Sequence, residues 1–310
     1  MTQRIGFLGP RGTFSEAALR AMSVSEGAEL IPVGSVTQAL AAVRSGELPM
    51  ALVPIENSSE GQVSTTLDEL AMGEPLCIVD EYAHPVQFAL LARPGTSLAD
   101  VRRVATHPAA EAQCRLWMHA NLVGHTVIPA TSTAGAAAAL SDDAAFDAAI
   151  APAIAAEYYG LEVLADDIGD SSRGTTRFVL VTQPGPPPAP SGSDKTSLVL
   201  FMRENHSGAL LEILTELAVR GVNLTRIESR PTKRALGDYF FVVDAEGHVL
   251  DARLGEAMTG LHRVCSAIRY LGSYPRHDGA APQTKAWTEN TEFLAANEWL
   301  ERVRATGVAE

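Results

Sequence analysis

The stretch TTRFVLVTQPGPPPAPSGSD, from Thr175 to Asp194, divides the chain into two parts. It begins with polar residues and continues as an unbroken apolar run, which is typical of a strand buried on both faces. The segment 184–194 is rich in proline, glycine and serine, so it can bury little apolar surface and is typical of a linker. We therefore predict one domain over residues 1–183, a second domain over 195–275 and a C-terminal tail over 276–310.

Upstream of the linker, short apolar runs alternate with helical patterns that begin at capping residues. Arg4–Gly9 is one such run and Met50–Ile55 is another. Thr13 and Ser35 each stand three residues before a Glu or a Gln, which is the spacing of a helix capping box. Strands joined by helical crossovers form an α/β domain, so this class is predicted for the first part.

Behind the linker, the patterns run strand, helix, strand, strand, helix, strand. This βαββαβ order is ferredoxin-like, with an antiparallel sheet that carries both helices on one face. The other face would then be uncovered, and we expect a second copy to cover it in a homodimer or homotetramer. The tail contains a helical pattern that we expect to pack on the body; its apolar residues are Phe293, Leu294, Leu300 and Val303.

Composition and charge exclude several classes of partner. The chain of 310 residues has 24 Lys and Arg against 37 Asp and Glu, a net charge of −13. A nucleic acid or an anionic membrane requires a clustered basic face, which this balance does not supply. The three cysteines are far apart and show no metal or disulfide spacing. The N-terminal apolar run is too short for a signal peptide, and we expect a cytoplasmic protein.

Polar side chains cluster at predicted strand ends and helix starts, where ligands bind in open α/β sheets. These candidates are Thr13, Glu56, Asn57, Ser58, Thr106, His107, Gln113, Ser132 and Thr133. Thr176 and Arg177 open the last strand before the linker, where a charge is costly unless something pairs with it. Hydroxyls, amides and one arginine suit the binding of a small carboxylate ligand more than nucleophilic attack.

The motifs GPRGTFS, PIENSSEGQV, THPAAEAQC, TSTAGAA and TTRFVLV stand in the order and spacing of prephenate dehydratases, which the chain resembles from about Arg4 to Pro275. GAL at 208–210 and ESRP at 228–231 resemble the phenylalanine-binding elements of the ACT regulatory domain. No chorismate mutase module precedes Arg4, so the resemblance is to the monofunctional type. It implies a two-lobed catalytic domain similar to periplasmic binding proteins, with the site in the cleft, followed by a ferredoxin-like ACT domain.

The resemblance implies conversion of prephenate to phenylpyruvate, water and carbon dioxide in L-phenylalanine biosynthesis, without a metal or redox cofactor. We expect Arg177 to hold the pyruvyl carboxylate, and the family pattern places Thr176 at the departing hydroxyl. Glu56 and His107 remain alternatives for the proton donor. The residues implied to orient the substrate are Asn57, Gln113 and Thr106. The other substrate-binding candidates are Thr13, Ser58, Ser132, Thr133 and Phe178.

For regulation, the resemblance implies that L-phenylalanine binds between paired ACT domains and alters the catalytic cleft. The effector candidates are Gly208, Ala209 and Leu210 of one copy, with Glu228, Ser229 and Arg230 of the other. Two other functions stay open. An arogenate dehydratase would need an acceptor for the substrate ammonium, and a non-catalytic amino-acid sensor would not need Thr176.

Overall fold

The computed structural model describes residues 2–142, 145–170, 174–233 and 238–308. The chain divides into two compact units. The first comprises Met1–Glu69 and Tyr82–Val181, and the second comprises Leu70–Glu81 and Thr182–Glu310. The first unit therefore ends close to the predicted linker. The short internal segment Leu70–Glu81 belongs with the second unit, which the sequence did not indicate.

The first unit and the segment inserted in it contain two groups of elements. The first group is β1 (Arg4–Leu8), α1 (Phe14–Arg20), β2 (Glu29–Val33), α2 (Val36–Ser45), β3 (Met50–Asn57), β4 (Gly61–Gln62), α3 (Ser64–Met72) and β5 (Cys77–Pro85). The second is β6 (Ala89–Ala92), β7 (Arg103–Thr106), α4 (Pro108–Asn121), β8 (Thr126–Pro129), α5 (Thr133–Ser141), β9 (Ala148–Ala151), α6 (Ile154–Tyr159) and β10 (Glu162–Ala165). The last strand, β11 (Thr175–Thr182), returns to the first group.

Each group builds its own sheet, so the first unit has two lobes. The strand order is β2-β1-β3-β11-β5 in the first lobe, with β4 beside β3, and β10-β6-β9-β7-β8 in the second. The chain passes between the lobes at 86–88, and it returns between the end of β10 and the start of β11. These two crossings are hydrogen-bonded to each other, from Val86 N to Gly174 O at 2.7 Å and from Ile168 N to Phe88 O at 2.9 Å. The predicted two-lobed α/β class is confirmed.

The predicted helix caps explain where α1 and α2 begin. Thr13 Oγ1 accepts a hydrogen bond from Glu16 N, and Ser35 accepts one from Gln38 N. Gly46 ends α2 with φ of 77°, a left-handed conformation that favours glycine. The capping box at Thr13 is modified, since the Glu16 carboxylate accepts from Gly12 N at 2.7 Å.

The second unit has the predicted βαββαβ order, which is confirmed. Its elements are β12 (Asp194–Met202), α7 (Ala209–Ala218), β13 (Leu224–Pro231), β14 (Tyr239–Glu246), α8 (Ala252–Val264), β15 (Cys265–Pro275) and α9 (Asn290–Thr306). The sheet has the order β13-β14-β12-β15 with antiparallel pairs. Its helix-side core is made by residues such as Leu198, Leu200, Ile213, Leu217 and Leu261, which exclude water between the sheet and both helices.

The other face of this sheet is not bare, and that expectation was wrong. Lys195 on β12 donates to both carboxylate oxygens of Glu81 at 2.9 and 3.0 Å. A Cβ added to Gly272 on β15 would lie 2.0 Å from the carbonyl oxygen of Ile78, so the two backbones touch. The segment Leu70–Glu81 thus helps to cover the face that a second copy was expected to cover.

The tail helix is present, but its apolar stripe is not buried. No residue of α9 is buried, and Leu294 is 55% exposed. The tail is held at its start instead, where Thr288 is only 4% exposed and packs against Gly221. Asn290 Oδ1 accepts from Arg253 N at 3.1 Å. Within the described residues, no helix combines the length and apolarity that crossing a membrane requires.

Candidate active site

A cavity of about 320 Å³ lies between the two lobes of the first unit. The first lobe contributes Phe14, Asn57, Glu60 and Thr176 to its wall, and the connection at 86–88 contributes Val86 and Phe88. The second lobe contributes His107, Ala109, Ala110, Gln113, Thr131, Ser132 and Thr133. Residues far apart in the sequence therefore meet at one place, as ligand sites in open α/β sheets do.

Thr176 and Asn57 form a hydrogen-bonded pair in the cavity wall. Asn57 Nδ2 donates to Thr176 Oγ1 at 2.7 Å. The amide orientation is fixed, because Asn57 Oδ1 accepts from the backbone N–H groups of Ser59 and Glu60 at 2.8 and 2.9 Å. Since the Thr176 oxygen already accepts from Asn57, its own proton is available to another acceptor.

Glu56 and Arg177 lie beside this pair but on the opposite face of the sheet, because successive residues of a strand point to opposite faces. Arg177 Nη1 is 3.7 Å from Glu56 Oε2, and neither residue lines the cavity. Ser58 also lies outside the wall and joins the ends of β3 and β11. It donates its N–H to Thr175 O and its Oγ accepts from Thr175 N, both at 2.9 Å.

The polar groups of the second lobe stand at two helix starts. His107 caps α4, and its Nδ1 accepts from Ala109 N at 3.2 Å, so in the neutral ring the proton is on Nε2. One turn later, Gln113 Nε2 donates to Ala109 O at 3.2 Å. Ser132 caps α5 by accepting from Gly135 N at 2.9 Å. The N–H groups of Thr133 and Ala134, which come first in α5, have no acceptor inside the helix and remain open to a ligand.

Besides Glu56, Ser58 and Arg177, three more predicted site residues are not brought into the cavity wall. Thr106 is fully buried and its hydroxyl donates to Ile150 O at 2.9 Å, which ties β7 to β9. Phe178 is 2% exposed and belongs to the core. Thr13 uses its hydroxyl to cap α1 and to donate to Leu8 O at 2.9 Å. Each is committed to local structure, which a motif alone does not reveal.

Seven residues of the wall were not among the sequence candidates, namely Phe14, Glu60, Val86, Phe88, Ala109, Ala110 and Thr131. Phe14 and Phe88 meet edge to face with ring centroids 5.4 Å apart, and Val86 extends this apolar surface. Glu60 adds a carboxylate. Phe14 and Glu60 stand inside the motifs GPRGTFS and PIENSSEGQV and could have been found there. Val86 and Phe88 lie in an ordinary strand connection that carries no such signal.

His84 lies next to Phe14, on the side of the apolar surface that faces away from the cavity. Its ring centroid is 6.2 Å from that of Phe14, and burial lowers the pKa of His84 below its usual range. A neutral imidazole is therefore favoured at this position. The apolar side of the cavity is thus backed by an uncharged ring.

In the second unit, the effector candidates occupy two separate places. Gly208 precedes α7 with φ of 94°, and Ala209 lines a cavity of about 270 Å³ together with Met202, Ile213 and Arg263. Leu210 is partly exposed on α7. The other three candidates, Glu228, Ser229 and Arg230, lie on β13 at the edge of the sheet and do not line this cavity.

Comparison with known proteins agrees with this division. Residues 5–186 match the family model of prephenate dehydratase, and residues 196–262 match that of the ACT domain. A prephenate dehydratase from Mycolicibacterium vanbaalenii is 48% identical over 304 residues, which cover 92% of this chain and 97% of that protein. The crystal structure of a prephenate dehydratase in complex with L-Phe from Arthrobacter aurescens has a TM-score of 0.91 at 49% identity, covering 97% of this chain and 99% of that one. A quorum quenching acylase, GqqA, has a TM-score of 0.79 at 34% identity, covering 88% of this chain and 98% of that one.

Proposed function

The chain belongs to the prephenate dehydratase family, and on that premise we propose that the cavity beside Thr176 converts prephenate to phenylpyruvate. In this reaction the ring carboxylate leaves as carbon dioxide, and its bonding electrons expel the ring hydroxyl as the ring becomes aromatic. The hydroxyl leaves as water only if it receives a proton. The protein must therefore bind two carboxylates, donate a proton and hold the ring.

The hydrogen bond from Asn57 to Thr176 is the observation that carries this proposal. It orients the Thr176 oxygen, so that the threonine proton is left to point toward the departing hydroxyl. A threonine hydroxyl is a poor acid, so Thr176 stabilises the leaving group and another residue supplies the proton. His107 is assigned this role, as an imidazolium, because it lines the same cavity, while Glu56 faces Arg177 outside it. The imidazolium carries a proton on both ring nitrogens, so it gives up the hydrogen bond that the neutral ring accepts from Ala109 N and becomes neutral when it protonates the leaving hydroxyl.

Recognition of the carboxylates is assigned to backbone N–H groups at the start of α5 and to the Gln113 amide. Among the described residues of the wall there is no lysine or arginine. A helix N-terminus offers free N–H groups and a favourable dipole to an anion. This assignment replaces the expected clamp by Arg177.

The apolar surface of Phe14, Val86 and Phe88 is assigned to the substrate ring. A carboxylate that leaves as neutral carbon dioxide gains nothing from strong ground-state binding, because only interactions that strengthen in the transition state accelerate the reaction. The ring carboxylate is therefore placed toward this surface, away from the start of α5. The product ring is aromatic and suits the same surface.

The test is phenylpyruvate formation from prephenate by the wild type and by Thr176→Val, which keeps the shape of the side chain and removes its hydroxyl. We expect kcat to fall by about 10²-fold or more, since removal of one stabilising donor to developing charge commonly has this effect. Thr175→Val is the matched control because Thr175 does not line the cavity. Equal activity of wild type and Thr176→Val would overturn the proposal.

Arogenate is a second candidate substrate, and one observation favours it. The Glu60 carboxylate lines the cavity and can accept from the ammonium that arogenate carries in place of the prephenate keto group. The same assay with arogenate measures phenylalanine formation. A higher kcat/KM for arogenate than for prephenate would make the chain an arogenate dehydratase.

For regulation, the proposed effector is L-phenylalanine, bound between two copies of the second unit. This is supported by the ACT match and by the L-Phe complex of the Arthrobacter relative. Ala209 and Ser229 do not share a cavity within one chain, as expected if each copy supplies half of the site. Ser229→Glu on the exposed edge strand should weaken inhibition by phenylalanine and lower the mass seen in sedimentation. The control, Thr225→Glu, should change neither.

A further inference from the structure

Arg253, near the start of α8, is a buried cation with an unused donor. The residue is 2% exposed, and its Nε has no hydrogen-bond partner. Its guanidinium makes one hydrogen bond, from Nη1 to Gly221 O at 3.3 Å. Within the described part of the chain, Arg253 forms no ion pair. Leaving a buried charged group with unpaired donors is costly, and an acceptor that reaches an accessible part of the guanidinium would offset that cost.

A cavity of about 220 Å³ lies against Arg253 in the second unit. Its wall combines three segments of the chain. Pro190 and Gly192 come from the linker, Asp251 comes from the start of α8, and Glu289 comes from the tail. The Arg253 side chain reaches this wall, since its Nη2 lies 3.6 Å from the position that a Cβ on Gly247, another wall residue, would occupy.

The charges around this cavity decide what it can bind. Asp194 also lines it, but its carboxylate already accepts from Ser191 N, Ser191 Oγ and Gly192 N at 2.8 to 3.0 Å. Asp251 accepts one hydrogen bond, from His248 N at 2.8 Å, and Glu289 is exposed at the rim. A simple anion would be attracted by Arg253 and repelled by these two carboxylates, so it is not the best match.

We propose that this cavity binds a free amino acid, with its carboxylate on Arg253 Nη2 and its ammonium toward Asp251 and Glu289. One cation and two carboxylates in one wall match the two charged ends of a zwitterion. The site is distinct from the cavity beside Thr176 and from the one that Ala209 lines. Because the tail supplies Glu289, the bound amino acid would also hold the tail against the domain.

The test is thermal unfolding of the full chain with each of the common L-amino acids in turn. Acetate and methylammonium serve as probes that carry only one of the two charges. At least one amino acid should raise Tm more than either probe, because a ligand of the folded state stabilises it by mass action. Calorimetric titration of that amino acid should give a Kd about tenfold higher for Glu289→Gln, as expected when one charged hydrogen bond is lost.

Two further variants keep the result interpretable. Arg253→Lys retains the positive charge and removes the guanidinium with its Nη2 donor, and it should weaken binding as Glu289→Gln does. Glu298→Gln, on the same tail helix but outside the wall, should leave Kd unchanged. If the amino acid is phenylalanine, the titration of the wild type should resolve two classes of site, and Glu289→Gln should weaken only one of them. The proposal is overturned if no amino acid exceeds both probes, or if Glu289→Gln and Arg253→Lys both bind as the wild type does.

Discussion

Two pairs of side chains join the ends of β3 and β11, and they differ in the face of the sheet that they occupy. Asn57 donates to Thr176 at 2.7 Å, and both line the cavity. Glu56 faces Arg177 at 3.7 Å, and neither lines it. One step along each strand therefore separates a pair that lines the cavity from a pair that lies outside it. Neighbouring residues of one motif need not share one role.

The largest expected effect concerns His107, which lines the same cavity as the pair of Asn57 and Thr176. His107→Gln keeps a side-chain N–H donor but cannot give up a proton, so we expect kcat to fall by about 10²-fold or more with a smaller change in KM. His119→Gln lies on the same helix outside the wall and serves as the control. If His107→Gln retains most of its kcat, the proton comes from elsewhere and the assignment fails.

The second prediction concerns the pair on the opposite face. Arg177→Met removes the ion pair with Glu56, so we expect the free energy of unfolding to fall by about 1 kcal/mol in urea titrations, as for other partly exposed pairs. The KM for prephenate should stay within a factor of about three, since a residue outside the wall does not contribute to binding. A large rise in KM would return Arg177 to the role of carboxylate clamp.

The smallest predicted effect concerns Glu60, which lines the cavity beside the Asn57 and Thr176 pair. Glu60→Gln should lower kcat/KM for arogenate relative to prephenate by about tenfold or less, because one charge-assisted hydrogen bond at an exposed site is replaced by a neutral one. Glu56→Gln, on the opposite face, is the matched control. An unchanged ratio would exclude Glu60 as the ammonium acceptor.

Much of the fold could be predicted from the sequence, because local signals determine it. The threonine and serine caps of α1 and α2, the glycine after α2 and the Pro-rich segment before β12 each act within a few residues. The βαββαβ order of the second unit follows from the same kind of signal. The inclusion of Leu70–Glu81 in that unit could not be predicted, since the Lys195 and Glu81 pair joins residues far apart in the chain.

The candidate site was predicted less completely, and the reason is again distance in the sequence. The motifs indicated Asn57, Thr176, His107 and Gln113, which all line the cavity. They also indicated Thr106 and Phe178, whose neighbours in the sheet bury them. A motif marks a segment, whereas strand alternation and packing decide which of its side chains face a ligand. Val86 and Phe88 show the converse, since they reach the wall without belonging to any motif.

The most direct test of the account compares two double-mutant cycles in kcat for prephenate. One cycle combines Asn57→Leu with Thr176→Val, and the other combines Glu56→Gln with Arg177→Met. We predict large single effects in the first cycle that do not add in the double variant, because the two side chains act as one unit. The second cycle should leave kcat almost unchanged. Equal losses of kcat in both cycles would contradict the separation of the two faces.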